Sequence, residues 1–187
     1  MIEYINKFDL SILEFIHNNL QNCFFDKIMP PITSLGEYST FWFVLGFVLI
    51  ISKKYRKAGI LTVLAVLFTI IIDGAIIKNI VQRPRPFLQV TTINMIIAKP
   101  LDYSFPSVHT AAAVAACLVL FKTIKKYSIP FIFLAILIAF SRLYLFVHYP
   151  SDVLAGAILG LISSKIVLYF SKKSKYFSIL RENSASN

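Results

Sequence analysis

Three short polar strings interrupt an apolar chain: KNIVQRPRP from Lys78 to Pro86, PSVH from Pro106 to His109, and SRLYLFVHYPSD from Ser141 to Asp152. Their residue types suit cleavage of a phosphate ester, which needs cations on the phosphoryl oxygens, an in-line nucleophile and an acid for the leaving group. Lys78, Arg85 and Arg142 can surround a phosphate, Arg as a planar fork and Lys as a point charge. Ser107 and the backbone N–H of Val108 add neutral donors at the start of a predicted helix, whose positive end favours an anion. His148 and Asp152 stand four residues apart across a Tyr-Pro-Ser turn, so the carboxylate can orient one imidazole nitrogen and leave the other free to attack. His109 is then the general acid for the departing oxygen and the base for the water that clears the bound phosphate.

The elements that must position these residues are membrane helices. The chain has 187 residues, of which 57% are hydrophobic, and its mean hydropathy is +0.73. It is too apolar for a soluble domain and too short for several. A crossing needs roughly 20 apolar residues, and five runs qualify: 34–52, 58–78, 107–121, 128–147 and 152–171. The segment 5–25 has Ile5, Phe8, Ile12, Phe15 and Ile16 at helical spacing but also Lys7, Asp9, Glu14 and His17, which suits an interfacial amphipathic helix, with a shallow sixth crossing left open. It lacks the features of a cleaved secretory signal. The expected fold is an all-α integral membrane bundle over residues 1–171, with 1–30 amphipathic and 172–187 a polar cytoplasmic tail.

The net charge of +10 is patterned. Lys53, Lys54, Arg56 and Lys57 follow the first run, Lys122, Lys125 and Lys126 the third, and Lys172, Lys173 and Lys175 the fifth. Every second junction is basic, which places those junctions in the cytoplasm and the three polar strings outside. The charge therefore reports topology, and a nucleic-acid partner is not expected. Cations and histidines near the lipid boundary are costly unless they are used. Cys23 and Cys117 predict neither a disulfide nor a metal site.

Several residues carry weaker signals. Gly156 and Gly160 form a GxxxG that reads as internal packing ahead of a dimer face. Ser107 is placed to cap the helix after the loop 82–105. Asp73, an acid inside the second run, is a candidate partner of Lys78 or Arg142. Tyr144, Tyr149, Phe87 and Trp42 read as an aromatic belt at the outer interface, and His17 as structural.

Lys78, six residues, Arg85-Pro86; then Pro106-Ser107-x-His109; then Ser141-Arg142, five residues, His148, three residues, Asp152: this series resembles the type 2 phosphatidic acid phosphatase family of membrane lipid phosphatases, over residues 30 to 171. The resemblance implies a phosphohistidine on His148 oriented by Asp152, His109 as acid, and phosphate held by Lys78, Arg85 and Arg142. It selects Arg85 over Arg83, whose role stays open. The position often occupied by glycine in PSxH is Val108 here, and its branched side chain narrows the approach of a headgroup.

The expected function is metal-independent and cofactor-free hydrolysis of a lipid phosphate at the outer face of a bacterial plasma membrane. Undecaprenyl pyrophosphate is the first choice of substrate, with phosphatidylglycerophosphate, phosphatidic acid or lipid A phosphate as alternatives. A transporter or non-catalytic binder of anionic lipid is the reading from another class. The oligomeric state is open.

Overall fold

The computed structural model describes residues 2–90 and 93–174; the tail assigned to 172–187, with Lys175 of the third basic cluster, lies outside them from residue 175 onward. The described residues form helices α1 (Ile2–Leu20), α2 (Cys23–Leu35), α3 (Thr40–Ile51), α4 (Arg56–Thr69), α5 (Lys78–Val81), α6 (Pro86–Gln89), α7 (Val108–Ile124), α8 (Ile129–Tyr144) and α9 (Pro150–Lys173). A π-helical stretch, Ile70–Ile77, joins α4 to α5, so residues 56–89 form one long apolar span.

Each of the five apolar runs is found as helix, and two of them end differently from expectation. The run 34–52 is the second arm of a bent pair: α2 meets α3 at 47°, across Tyr38 and Ser39, both with positive φ. Pro30 and Pro31 lie inside α2 and hide it from a periodicity reading, although Asn22 announces its start by accepting from the Phe24 and Phe25 amides at 3.1 and 3.0 Å. Helix α8 has 16 residues, about 24 Å long and short of a hydrocarbon core of about 30 Å. It stops at Tyr144 because the chain turns back through Phe146, with φ 58°, which sets His148 between α8 and α9.

Helix α7 is the centre of the bundle, packed on α4, α8 and α9. Its Ala111, Ala112, Ala113, Ala115 and Ala116 are fully buried, and small residues let backbones approach. A Cβ on Gly156 would lie 2.5 Å from the Ser107 carbonyl oxygen, and one on Gly160 would strike that of Ala111. The GxxxG face therefore seats α9 on α7.

The aromatic belt is not observed. Trp42, Phe87, Tyr144 and Tyr149 are all buried. Trp42 packs with Ala112, Ala116 and Ile138, and Tyr149 with Leu13 and Phe146. The α8–α9 turn sets the Tyr149 ring under α1, which packs against both helices, whereas Trp42 is enclosed by α7 and α8. His17 lies edge-on to Phe146, with ring centroids 6.2 Å apart, in keeping with a structural role.

Candidate active site

The three polar strings meet between α5, α6, the start of α7 and the α8–α9 turn. Lys78 opens α5 directly after the π-helical stretch, and Arg85 stands in extended backbone just before Pro86 opens α6, so the two cations flank the break in the helix at Gln82. Arg85 is buried. Its Nη1 donates to the Val147 carbonyl at 2.6 Å and lies 3.3 Å from His148 Nε2. Arg142, in the last turn of α8, donates from Nη1 to Thr33 Oγ1 of α2 at 2.5 Å, while its buried Nε has no partner among the described residues. His109, in the first turn of α7, lies within electrostatic reach of Arg142, His148, Lys78 and Arg85.

An acid that the motifs do not include sits between two of these cations. Asp102 Oδ2 takes Lys78 Nζ at 2.5 Å, Oδ1 takes Arg85 Nη2 at 2.5 Å, and its carbonyl accepts from Arg85 Nε at 2.8 Å. Partial burial pushes the Asp102 pKa up, but the hydrogen bond from Lys78 and the charges of Arg85 and Lys78 outweigh it and hold the carboxyl well below the usual range. No spacing rule reaches Asp102, because it lies in an irregular loop 17 residues from Arg85 and 24 from Lys78.

His148 is buried at the turn. Desolvation, followed by the charges of Arg85, Arg142 and Lys78, pushes its pKa well down, against a smaller opposing effect of Asp102. The imidazole is thus neutral at ordinary pH. Asp152 approaches it less closely than the four-residue spacing suggests: His148 Nδ1 is 3.5 Å from Asp152 Oδ2 and lacks a hydrogen-bond partner among the described residues. That carboxylate oxygen already accepts from Ser104 Oγ at 2.5 Å and from the Tyr149 amide at 2.9 Å. Asp152 is therefore held rigidly by its neighbours and meets the imidazole as a charge at the limit of hydrogen bonding.

Two further expectations need correction. Ser107 occupies the N-cap position of α7 but makes no side-chain cap; its hydroxyl pairs with Thr110 Oγ1 at 3.0 Å, and its amide donates to the Asp152 carbonyl at 3.2 Å. The neutral donors left to an anion are the Ser107 hydroxyl and the first-turn amides from Val108 onward, which have no intrahelical acceptor. Asp73 pairs with neither Lys78 nor Arg142; both its carboxylate oxygens are buried without a partner among the described residues. Arg83, Asp9, Ser104, Asp102 and Thr33 are the site neighbours that sequence reasoning did not assign.

An apolar groove of about 670 Å³ lies between α7, α8 and α9. Its lining includes Thr110, Leu143 and Pro150, the chain neighbours of His109, Arg142 and Tyr149, together with Phe121 and Leu161 further along α7 and α9.

The PAP2 superfamily profile matches residues 57–176, and the chain belongs to that superfamily. It is a membrane lipid phosphatase of the PAP2 type. It is 33% identical over 155 residues to the undecaprenyl-diphosphatase of Sulfolobus acidocaldarius, covering 82% of this chain and 73% of that one. It is 29% identical over 154 residues to the bacitracin transport permease protein BcrC of Bacillus licheniformis, covering 81% and 76%. The crystal structure of Aquifex aeolicus LpxE superposes with a TM-score of 0.74 at 28% identity, covering 86% of this chain and 94% of that one.

Proposed function

We propose that this phosphatase hydrolyses a polyprenyl pyrophosphate, undecaprenyl pyrophosphate first, through a phosphohistidine at the extracytoplasmic face of the membrane. The observation that carries the reading is the buried imidazole of His148, with Arg85 Nη1 3.3 Å from its Nε2 and Lys78 and Arg142 within electrostatic reach. Nε2 attacks the terminal phosphorus, an N–P bond forms as the P–O bond of the pyrophosphate bridge breaks, and His109 donates a proton to the bridging oxygen, which leaves on the polyprenyl monophosphate. Water then attacks phosphorus, His109 accepts its proton, and the N–P bond breaks to release inorganic phosphate and neutral His148. Lys78, Arg85 and Arg142 bear the charge that builds on the equatorial oxygens, together with the Ser107 hydroxyl and the Val108 amide. Asp152 holds the imidazole for attack.

Support for the substrate comes from the groove and from the relative named for undecaprenyl diphosphate, and support for the orientation from the basic junctions after α3, α7 and α9. The test is phosphate release by the purified protein across undecaprenyl pyrophosphate, phosphatidylglycerophosphate, phosphatidic acid and lipid A phosphate, with His148→Ala as control. Undecaprenyl pyrophosphate is expected to have the highest kcat/KM, and His148→Ala to lose turnover while remaining folded. Faster turnover of a phospholipid or of lipid A phosphate would replace the substrate. Lipid binding unchanged with no phosphate released by the unmodified chain would favour a non-catalytic binder.

A further inference from the structure

Arg83 is the arginine of RPRP that the phosphate site does not use, yet its guanidinium is among the most fully engaged in the molecule. Nη1 donates to Asp152 Oδ1 at 2.6 Å and to Ser151 Oγ at 2.7 Å. Nη2 donates to Asp9 Oδ2 at 2.7 Å and to Asn6 Oδ1 at 2.6 Å, both on α1. The guanidinium carbon lies 3.7 Å from the centroid of the Tyr149 ring, a cation–π contact that fixes the plane of the fork. Asp9 also accepts from the Ser151 amide at 3.0 Å and from the Ser151 hydroxyl, so a carboxylate of α1 serves the first turn of α9. Asp9 and Asp152 are 2% and 0% exposed. Two buried carboxylates therefore share one guanidinium, an arrangement that is costly to keep unless every member is needed.

We infer that Arg83 and Asp9 are positioning residues that divide one positive charge between α1 and the Asp152–His148 pair, which makes helix α1 a working part of the active site. Helix α1 lies outside residues 57–176, which carry the superfamily match. The inference rests on His148 being the nucleophile. Arg83 grips Oδ1 of Asp152 and leaves Oδ2 toward His148 Nδ1, held there by Ser104 and the Tyr149 amide. It thereby sets both the aim of the carboxylate and how much of its negative charge the imidazole feels. The other charges acting on His148 are Arg85, Arg142, Lys78 and Asp102, with His109 also in reach; the substitutions below leave all of them in place.

The two partners have opposite electrostatic signs, which supplies the test. Without the Arg83 charge, Asp152 acts on His148 undiminished, and the imidazole protonates at higher pH. Without the Asp9 charge, Arg83 serves Asp152 alone, and the imidazole protonates at lower pH. For the full-length protein in detergent, Arg83→Gln is expected to lower kcat by roughly 10- to 100-fold with KM little changed, as for other groups that orient a reacting side chain, and to move the acid limb of the kcat–pH profile upward by about one unit. Asp9→Asn moves that limb downward, and Arg83→Lys, which keeps the charge and loses the fork, lowers kcat with the limb unmoved. A purely architectural role would lower thermal stability and leave the acid limb in place in both charge-removing variants; that result, or displacements of the same sign, overturns the inference. If Arg83→Gln does not fold, the downward displacement in Asp9→Asn carries the test alone. Turnover that survives in His148→Ala would fault the phosphohistidine reading itself, whereas an inactive His148→Ala with unmoved acid limbs would fault only the role of Arg83 and Asp9.

Discussion

Asp102 occupies two of the cations, Lys78 and Arg85, that the proposed mechanism assigns to the substrate phosphoryl group, so Asp102→Asn is expected to strengthen anion binding. The substitution keeps the side chain's shape and removes its charge from between Lys78 Nζ and Arg85 Nη2, each 2.5 Å away. Hydrogen bonds between charged groups contribute about 1.5–3 kcal/mol; with the Asp102 side chain 55% exposed, solvent screening reduces each to about 1 kcal/mol or less. An incoming phosphate that must displace both contacts is spared about 1–2 kcal/mol in the variant, equivalent to roughly 5- to 30-fold in affinity. Because the Asp102 carboxyl is held below its ordinary value, it is ionised, and its contacts are present, at any pH above about 4. They weaken only as pH falls through the depressed folded value, so the gain should be uniform across the working range. The assay is competitive inhibition by inorganic phosphate or vanadate at neutral pH, with the inhibition constant falling roughly 5- to 30-fold in Asp102→Asn. An unchanged or weaker inhibition would mean that Asp102 holds Lys78 and Arg85 in position for phosphate, and the competition argument would be wrong.

Gly156→Ala puts a Cβ 2.5 Å from the Ser107 carbonyl oxygen; relief needs a shift of about 1 Å, which costs about 1–3 kcal/mol of stability and, transmitted to Ser107 and His109, about 100-fold in kcat. Wild-type kcat in that variant would show that the α7–α9 approach does not position the site. With positive charge supplied by Lys78, Arg85 and Arg142, a chelator should leave the rate within about twofold, whereas loss restored by added divalent metal would contradict a metal-independent mechanism. Leu101, fully exposed beside Asp102, reports orientation: Leu101→Cys in a Cys23→Ser background should react with an impermeant maleimide on intact cells, and labelling only after permeabilisation would place the site on the cytoplasmic side.

The parts legible in the amino-acid sequence are those encoded over short distances. Apolar runs bounded by charge specify helices because hydrocarbon leaves the backbone few other ways to satisfy its hydrogen bonds. The Lys78–Arg85, Ser107–His109 and Arg142–Asp152 spacings survive folding because each pair lies on one helix end or one tight turn. Gly156 and Gly160 were readable as a packing face for the same reason, a fixed four-residue helical repeat.

What lay beyond the sequence are contacts between groups far apart in the chain and the partners that buried polar atoms finally choose. Asp9 and Arg83 are 74 residues apart, and Arg142 and Thr33 109, so local periodicity holds no record of either pair. Ser107 is placed to cap α7 but pairs with Thr110, and Asp73, a candidate partner of Lys78 or Arg142, has no hydrogen-bond partner among the described residues, because the geometry of neighbouring elements decides between donors of similar strength. Tyr149 and Trp42 look like interface anchors by type and are core residues by placement, since Leu13 of α1 and the turn at Phe146 enclose the first and α7 and α8 enclose the second. Short-range spacing along the chain is enough to give the class of chemistry and the helices that carry it. Tertiary structure alone decided which charges neutralise one another around His148, because electrostatic energy depends on separation in space and burial rather than on distance along the chain.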